Sequence, residues 1–314
     1  MIIAALMAAG CTTTSSNNDN ITPGSGGKIT VSGAFALYPM METWAEKYNK
    51  IHPDVKIEIS AGGAGKGMTD TLSGMVDIGM VSREISPDEE AQGAFYVAVT
   101  KDVVVPTISS DNPVLSDLQS KGVNQSVFKQ IFVNESINTW GGVVGRPDVT
   151  GKINLYTRSD ACGAAEVWAK YLGIKPENLK GIGIFGDPEL ADAVKSDKLG
   201  IGYNNIGFVY DANSGKPLDG LAIVPLDQNA NGKIDPEERV YATHDEIINA
   251  INTGKYPSPP ARELNLVTRG KFSGPTKEFV HWILTDGQQY VQEIGYIALP
   301  SERIQVQLAK LDGN

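Results

Sequence analysis

Cysteine is nearly absent from this 314-residue chain, which has two, Cys11 and Cys162. If Cys11 is a modified N-terminal residue, as read below, Cys162 is left without a partner, so the fold is not a disulfide scaffold. Histidine is also scarce, with His52, His244 and His281 only. None has a neighbourhood that suggests a general base, which weighs against hydrolytic chemistry. Basic charge is in deficit: 27 Lys and Arg against 37 Asp and Glu give a net charge of -10. No basic stripe is available to neutralise phosphates in number, which excludes a nucleic-acid partner. Long apolar runs are missing too, and the one at the N-terminus, Met1 to Gly10, is too short to span a bilayer. With 41% hydrophobic and 20% charged residues the composition is that of a soluble globular protein. The length suffices for two domains, each with its own core.

What the chain does have is one pattern used repeatedly: an apolar strand, a small-residue turn with glycine, then an amphipathic helix. It occurs at Lys28 to Pro39 leading into Met40 to Tyr48, at Val55 to Gly67 leading into Met68 to Gly74, and at Ile153 to Gly163 leading into Ala164 to Leu172. Such turns leave the first backbone N–H groups of the helix unpaired and aimed outward, with the positive end of the helix dipole behind them, which suits a phosphate-sized anion. Arg83 and Arg158 lie beside these turns. An acidic chain that binds an anion must do so with a local, focused site.

The segment Met1 to Cys11 resembles a lipoprotein signal, which implies cleavage before Cys11 and its lipidation. Residues 12 to 27, rich in Ser, Thr, Asn and Gly, are expected to be a flexible tether. From Lys28 to about Val105 strands and helices alternate, as in a parallel sheet covered by helices. A second unit follows, with helices over Ser116 to Ile131, Gly163 to Leu172 and Pro188 to Ser196, and strands at Ile153 to Tyr156 and Gly181 to Phe185. After Glu263 the chain returns to strand (Leu264 to Thr268) and helix (Pro275 to Asp286 and Gln288 to Ile294). Val103 to Pro106 and Leu264 to Val267 read as two crossings between lobes. The expected fold is α/β and two-lobed, each lobe a mainly parallel sheet flanked by helices, with residues 28–105 and 264–314 in one lobe, 106–263 in the other and a hinge between. Ligands of such sheets bind at the carboxyl ends of the strands, where these turns lie.

Gly33-Ala-Phe-Ala-Leu-Tyr-Pro39 with Trp44 and Tyr48, Gly62-Gly-Ala-Gly-Lys-Gly67, Val76-Asp-Ile-Gly-Met-Val-Ser-Arg83 and Thr157-Arg-Ser-Asp-Ala-Cys-Gly163, in this order, resemble the signatures of phosphate-binding proteins of Pst-type ABC importers. Ile131-Phe-Val, Trp140 and Gly287-Gln-Gln-Tyr290 with Gly295-Tyr296 extend the resemblance over roughly Lys28 to Leu299. It implies a periplasmic-binding-protein-like, extracytoplasmic receptor that captures an anion and hands it to membrane permease subunits without chemistry. It also implies ligand contacts from Ala36 and Leu37, from Ala64 and Gly65, from Arg83, and from Arg158, Cys162, Gly163 and Ala164. The chain departs from the family where Ala36, Ala64, Cys162 and Ala164 stand, since hydroxyl residues are usual there. Alanine can neither donate to an oxyanion nor accept from a protonated one, and a thiol donates weakly. Backbone donors and arginines remain, so anion binding stands while its identity as phosphate is open.

A receptor that prefers hydrogen phosphate needs an acceptor for the ligand proton, and a carboxylate there repels a fully ionised dianion. Glu84 and Asp160 are the candidates. Without an inward carboxylate, sulfate, molybdate or tungstate, or an organic phosphate or phosphonate fits better. A phosphoester hydrolase and a sensor or adhesion protein are the rival readings from other classes. Cys162 at a helix N-terminus is the one residue a hydrolase could use as nucleophile.

Separately, Asp227-Gln-Asn-Ala-Asn-Gly-Lys-Ile-Asp-Pro-Glu-Glu238 matches a twelve-residue EF-hand calcium loop. Asp227, Asn229 and Asn231 would supply side-chain oxygens, Lys233 its carbonyl, Asp235 a direct or water-mediated contact and Glu238 a bidentate carboxylate. Gly232 permits the sharp turn, and Ile234 faces the core. Leu221 to Leu226 is strand-like, so an entering helix is missing, while Thr243 to Ile251 makes a following helix. A single site of this kind reads as structural Ca2+. The sequence therefore predicts a monomeric, calcium-stabilised, membrane-anchored solute-binding protein for phosphate or a related oxyanion.

Overall fold

Each of the three repeated turns is built at the carboxyl end of a parallel strand, because the glycines there let the backbone turn sharply and start a helix at once. A computed structural model of the protein describes residues 27–211 and 213–313. Cys11 and the expected signal and tether, up to residue 26, lie outside the described residues.

The first part of the chain runs β1 (Lys28–Gly33), α1 (Tyr38–Ile51), β2 (Lys56–Ala61), α2 (Ala64–Leu72), β3 (Ile78–Val81), α3 (Pro87–Ala91) and the long β4 (Ala94–Ser109). The middle part runs α4 (Leu115–Lys121), α5 (Gln125–Phe132), α6 (Trp140–Val144), β5 (Asn154–Arg158), α7 (Gly163–Tyr171), β6 (Ile182–Ile184), α8 (Asp187–Ser196), β7 (Gly200–Asn205), β8 (Leu221–Ile223) and α9 (His244–Asn252). The chain returns through β9 (Ala261–Arg269), α10 (Gly274–Leu284) and α11 (Ser301–Asp312).

The strands order as β2-β1-β3-β9-β4-β7-β5-β6, with β8 also on β4. Each end of this array is a parallel triplet, β2-β1-β3 and β7-β5-β6. The centre differs from a parallel sheet: β9 is antiparallel to both β3 and β4, and β4 to β7. That is the geometry of a fold whose two halves share a pair of strands. β4 is 16 residues long and enters both halves, with a register shift against β9 between Ala98 and Thr100.

Two apolar cores sit on either side of that shift. One gathers Ile29, Met40, Trp44, Val97, Val99, Leu264, Leu266, Phe279 and Ile283. The other gathers Val103, Val105, Phe128, Phe132, Trp140, Trp168, Tyr203 and Ala261. Between them, Asp102 on β4 pairs with Arg262 on β9 at 3.1 Å, both side chains buried. The first core is assembled from the two ends of the described chain, and the Trp44 indole N–H donates to the Gly287 carbonyl at 2.9 Å across it.

Two local expectations change. The segment 116–131 is not one helix: Gly122 takes φ +65° after α4, and a Cβ there would lie 2.3 Å from Ile234 Cδ1. Asn124 then caps α5, its Oδ1 accepting from the Val127 N–H at 3.1 Å. At the far end, Asp286–Tyr290 is a short 3-10 turn, and the last helix comes later, at Ser301–Asp312.

Candidate functional site

The turns after β1, β2 and β5 meet at the junction of the two halves. Gly33, at φ +135°, accepts at its carbonyl from the Gly62 and Gly63 amides at 2.9 and 3.0 Å, which ties the first turn to the second. Gly63 caps α2 at φ +91°. Across the cleft, Cys162 caps α7, its Sγ accepting from the Ala165 N–H at 3.5 Å, a weak cap where a hydroxyl would be stronger. Gly163 and Ala164 open α7 with N–H groups that have no intrahelical acceptor. Ala36, Leu37, Ala64, Cys162, Gly163 and Ala164 are all buried.

The facing turns are in backbone contact. The Gly65 amide donates to the Ala161 carbonyl at 2.9 Å. A Cβ on Gly63 would lie 2.8 Å from Asp160 Oδ2 and 2.9 Å from the Ala161 oxygen. One on Gly163 would lie 2.0 Å from the Ser82 carbonyl oxygen and 2.4 Å from Ser82 Oγ. The structure thus brings Gly63, Ala64 and Gly65 against the loop that carries Arg158, Asp160 and Cys162, with the end of β3 alongside.

Arg158 is the charge at this junction, and its side chain is fully buried. Its Nε and Nη2 donate to Asp160 at 2.7 and 2.6 Å, and its Nη1 to Asp187 at 2.6 Å. Burial opposes the guanidinium charge, yet the carboxylates of Asp187 and Asp160 outweigh it and raise its pKa. The Arg158 amide donates to the Tyr203 hydroxyl, which also bonds Thr157 Oγ1 at 2.8 Å, so β5 is pinned where the arginine leaves it. Two buried carboxylates against one guanidinium leave an excess of negative charge. That charge opposes any anion, but one that carries a proton can donate it to a carboxylate, which a fully ionised dianion cannot.

The two carboxylate candidates separate cleanly. Glu84 is exposed and pairs with Lys170 at 2.5 Å on the outside. Asp160 points inward, with Oδ2 against Gly63. Arg83 is not at the turns: its guanidinium is held by Glu89 at 2.8 and 2.6 Å and faces Glu166 at 3.0 Å. It lines a polar cavity of about 640 Å³ with Lys170, Arg262 and Arg303 beside β9. Its neighbour Ser82 is the residue that meets Gly163. Burial pushes the Cys162 thiol up to about 12, which disfavours the thiolate that a nucleophile needs. Sequence reasoning missed Ser82, Asp187, Phe35 and Phe185, although Ser82 and Phe35 both stand inside quoted motifs.

In the loop 227–238, Asp227 accepts at Oδ1 from the Asn231 amide at 3.1 Å and at Oδ2 from the Gly232 amide at 2.9 Å. Gly232 takes φ +79° and Ile234 is buried, its amide donating to Ser120 O at 2.8 Å. Glu238, buried, accepts from the Gln228 and Asp235 amides at 2.8 and 3.1 Å. Asp235 accepts from the Asn229 and Asn231 side-chain amides at 3.0 and 2.7 Å and pairs with Lys233 at 2.6 Å. Lys233, then the two asparagines, hold the Asp235 carboxyl down at about 2. Among the described residues no group of three or more His, Cys, Asp and Glu side chains is gathered as a metal cage. The donor types are all oxygen, as calcium requires, and binding needs the two amides to turn their oxygens inward and Asp235 to leave Lys233.

A family model described as a PBP superfamily domain matches residues 18–287. The chain is 25% identical over 308 residues to the phosphate-binding protein PstS of Bacillus subtilis, covering 97% of this chain and 92% of that one. It is 37% identical over 114 residues to the phosphate-binding protein PstS 2 of Streptococcus pneumoniae, 36% of each chain. In structure it is similar to a Clostridium perfringens substrate-binding protein assigned to phosphate ABC transport, with phosphate bound, at a TM-score of 0.70 and 24% identity over 87% of this chain and 100% of that one. An ABC-type phosphate transport receptor from Vibrio cholerae superposes with a TM-score of 0.62 at 19% identity, over 87% of this chain and 100% of the other.

Proposed function

The chain belongs to the PBP superfamily, and on that premise we propose that it is the extracytoplasmic solute-binding protein of an ABC importer, capturing inorganic phosphate between its two lobes. The observation that carries the reading is the Arg158–Asp160 pair, buried at the junction with Asp160 against Gly63 of the opposite lobe. The N-termini of α2 and α7 supply positive potential and the Arg158 guanidinium its remaining N–H groups, while Asp160 supplies an acceptor for a ligand proton. That combination favours protonated phosphate over sulfate, molybdate or tungstate. The relatives named above, phosphate-binding proteins among them, support the same reading.

Capture without chemistry is supported by the burial of Cys162, which disfavours the thiolate. Ala36, Ala64, Gly163 and Ala164 act through backbone N–H groups and Arg158 through its side chain, while the Leu37 and Gly65 amides are engaged by the Ala34 and Ala161 carbonyls and join only if those bonds open. Delivery to permease subunits, a monomeric state and a lipid anchor at Cys11 complete the proposal. We also propose that residues 227–238 hold a structural Ca2+ through Asp227, Asn229, Asn231, Lys233 carbonyl, Asp235 and Glu238.

Isothermal titration of the protein from residue 28 onward against phosphate, sulfate, molybdate, tungstate and a phosphonate tests the ligand. Micromolar phosphate binding that Arg158→Ala abolishes is the expected result. Binding of a different anion alone would mean that Ala36, Ala64 and Ala164 have retuned the cleft. Silence throughout would shift the weight to a sensor or adhesion role.

A further inference from the structure

Phe35 and Phe185 are rings from opposite sides of the cleft. Phe35 lies in the first turn, between β1 and α1, and Phe185 follows β6 in the other half. Their centroids are 5.8 Å apart at an interplanar angle of 87°, an edge-to-face pair. Phe185 is 56% exposed, a large apolar side chain left mostly in solvent. The Phe35 ring also meets the arginine: the Arg158 guanidinium carbon lies 5.6 Å from its centroid. A Cβ on Gly186 would lie 3.5 Å from Phe35 Cζ, so the turn that starts α8 packs on the same ring.

The other contacts around Arg158 are of a different kind. Gly65 bonds Ala161 through backbone, Gly163 faces the Ser82 carbonyl, and Asp160 and Asp187 hold the guanidinium. Those contacts are made by backbone or by ion pairs. The Phe35 side is closed by two side chains that share no hydrogen bond, so it is the side that can open by rotamer change alone.

We propose that Phe35 and Phe185 form an aromatic clasp over the arginine end of the anion site. It sets the rate of ligand release and confines the ligand to a bare tetrahedral oxyanion. A phosphate monoester must thread its carbon substituent past Phe35, which the closed clasp forbids. This inference rests on the phosphate reading of the cleft for its ligand but on the two rings alone for its geometry.

The test uses Phe35→Ala, Phe185→Ala and the double variant, each checked by thermal melting for an intact fold. Stopped-flow release of phosphate is expected to be about three- to tenfold faster in each single variant, from the loss of one aromatic pair and, for Phe35, the cation–π contact. The double variant should release about as fast as Phe35→Ala, because the two changes remove one shared contact. Titration with glycerol 3-phosphate should give no binding to the wild type and measurable binding to Phe35→Ala. Unchanged release in both single variants, or a wild type that already binds the monoester, overturns the clasp. A separate arm does not depend on the anion: Phe35→Cys combined with Phe185→Cys should be joined by a short bismaleimide, whereas failure to crosslink overturns the geometry. A double-cysteine variant that crosslinks in this way beside a wild type that ignores phosphate would overturn the ligand reading and leave the clasp standing.

Discussion

The carbonyl of Ser82, at the end of β3, sits where a side chain on Gly163 would have to go, 2.0 Å from an added Cβ. One half of the molecule therefore sets the residue type at a helix start in the other.

Gly163→Ala is expected to leave each core intact, since alanine is a good helix residue, and to hold the halves apart. Overpacking of about 1–3 kcal/mol against closure corresponds to about five- to hundredfold weaker anion binding. Isothermal titration beside a melting curve checks this; a variant that binds as tightly as wild type would show that these turns need not approach.

Arg158→Ala leaves Asp160 and Asp187 buried with no cation. Removing one partner of such a group costs about 3–5 kcal/mol. Urea unfolding should show that loss, and anion binding should vanish. Arg158→Lys keeps the charge but cannot satisfy both carboxylates in the same fork, so it should regain part of the stability and little of the binding. Full binding in Arg158→Lys would count against the bidentate geometry.

Asp102 titrates in the opposite sense to most carboxylates. Burial raises its pKa to about 6, with Arg262 opposing. The folded state then holds the proton more firmly than the unfolded chain, so this group's stabilising contribution is present at low pH and is lost as pH rises through about 6. Asp102→Asn cannot titrate, so the stability difference between variant and wild type should move in the variant's favour by about 2–3 kcal/mol from about pH 4 to pH 7. Urea midpoints across that range decide it, and a constant difference would rule the assignment out.

Calcium at about 5 mM should stabilise the protein by about 1–2 kcal/mol if the loop has the affinity of extracellular sites. The gain should disappear with a chelator and in Glu238→Gln. Differential scanning calorimetry reads both; a melting temperature indifferent to calcium would leave the loop as a hydrogen-bonded turn closed by Lys233 and Asp235.

Much of the fold was legible because its signals are local. The strand, glycine turn and helix of β1 with α1, β2 with α2 and β5 with α7 each lie within about twenty residues, so periodicity and turn chemistry identify them. The division of 116–131 at Gly122 was hidden, because the reason for that glycine is Ile234, far along the chain. Arg83 shows the same limit at the site. A strand-end arginine does not announce its partners, and Glu89 and Glu166 are found only once α3 and α7 are in place. Asp187 reaches Arg158 from the start of α8, and the pattern Gly186-Asp187-Pro188 reads in sequence as an ordinary helix start.

The hydrogen bond from Trp44 to Gly287 joins positions separated by nearly the whole of the second core. A chain made from its N-terminus presents Ile29 to Val99 long before Leu264 to Leu311 exists to cover them. The contiguous second core can close while the first waits with its apolar face open. The connectivity thus makes completion of the first core depend on residues 264–311, so the half that begins first in the chain is completed last.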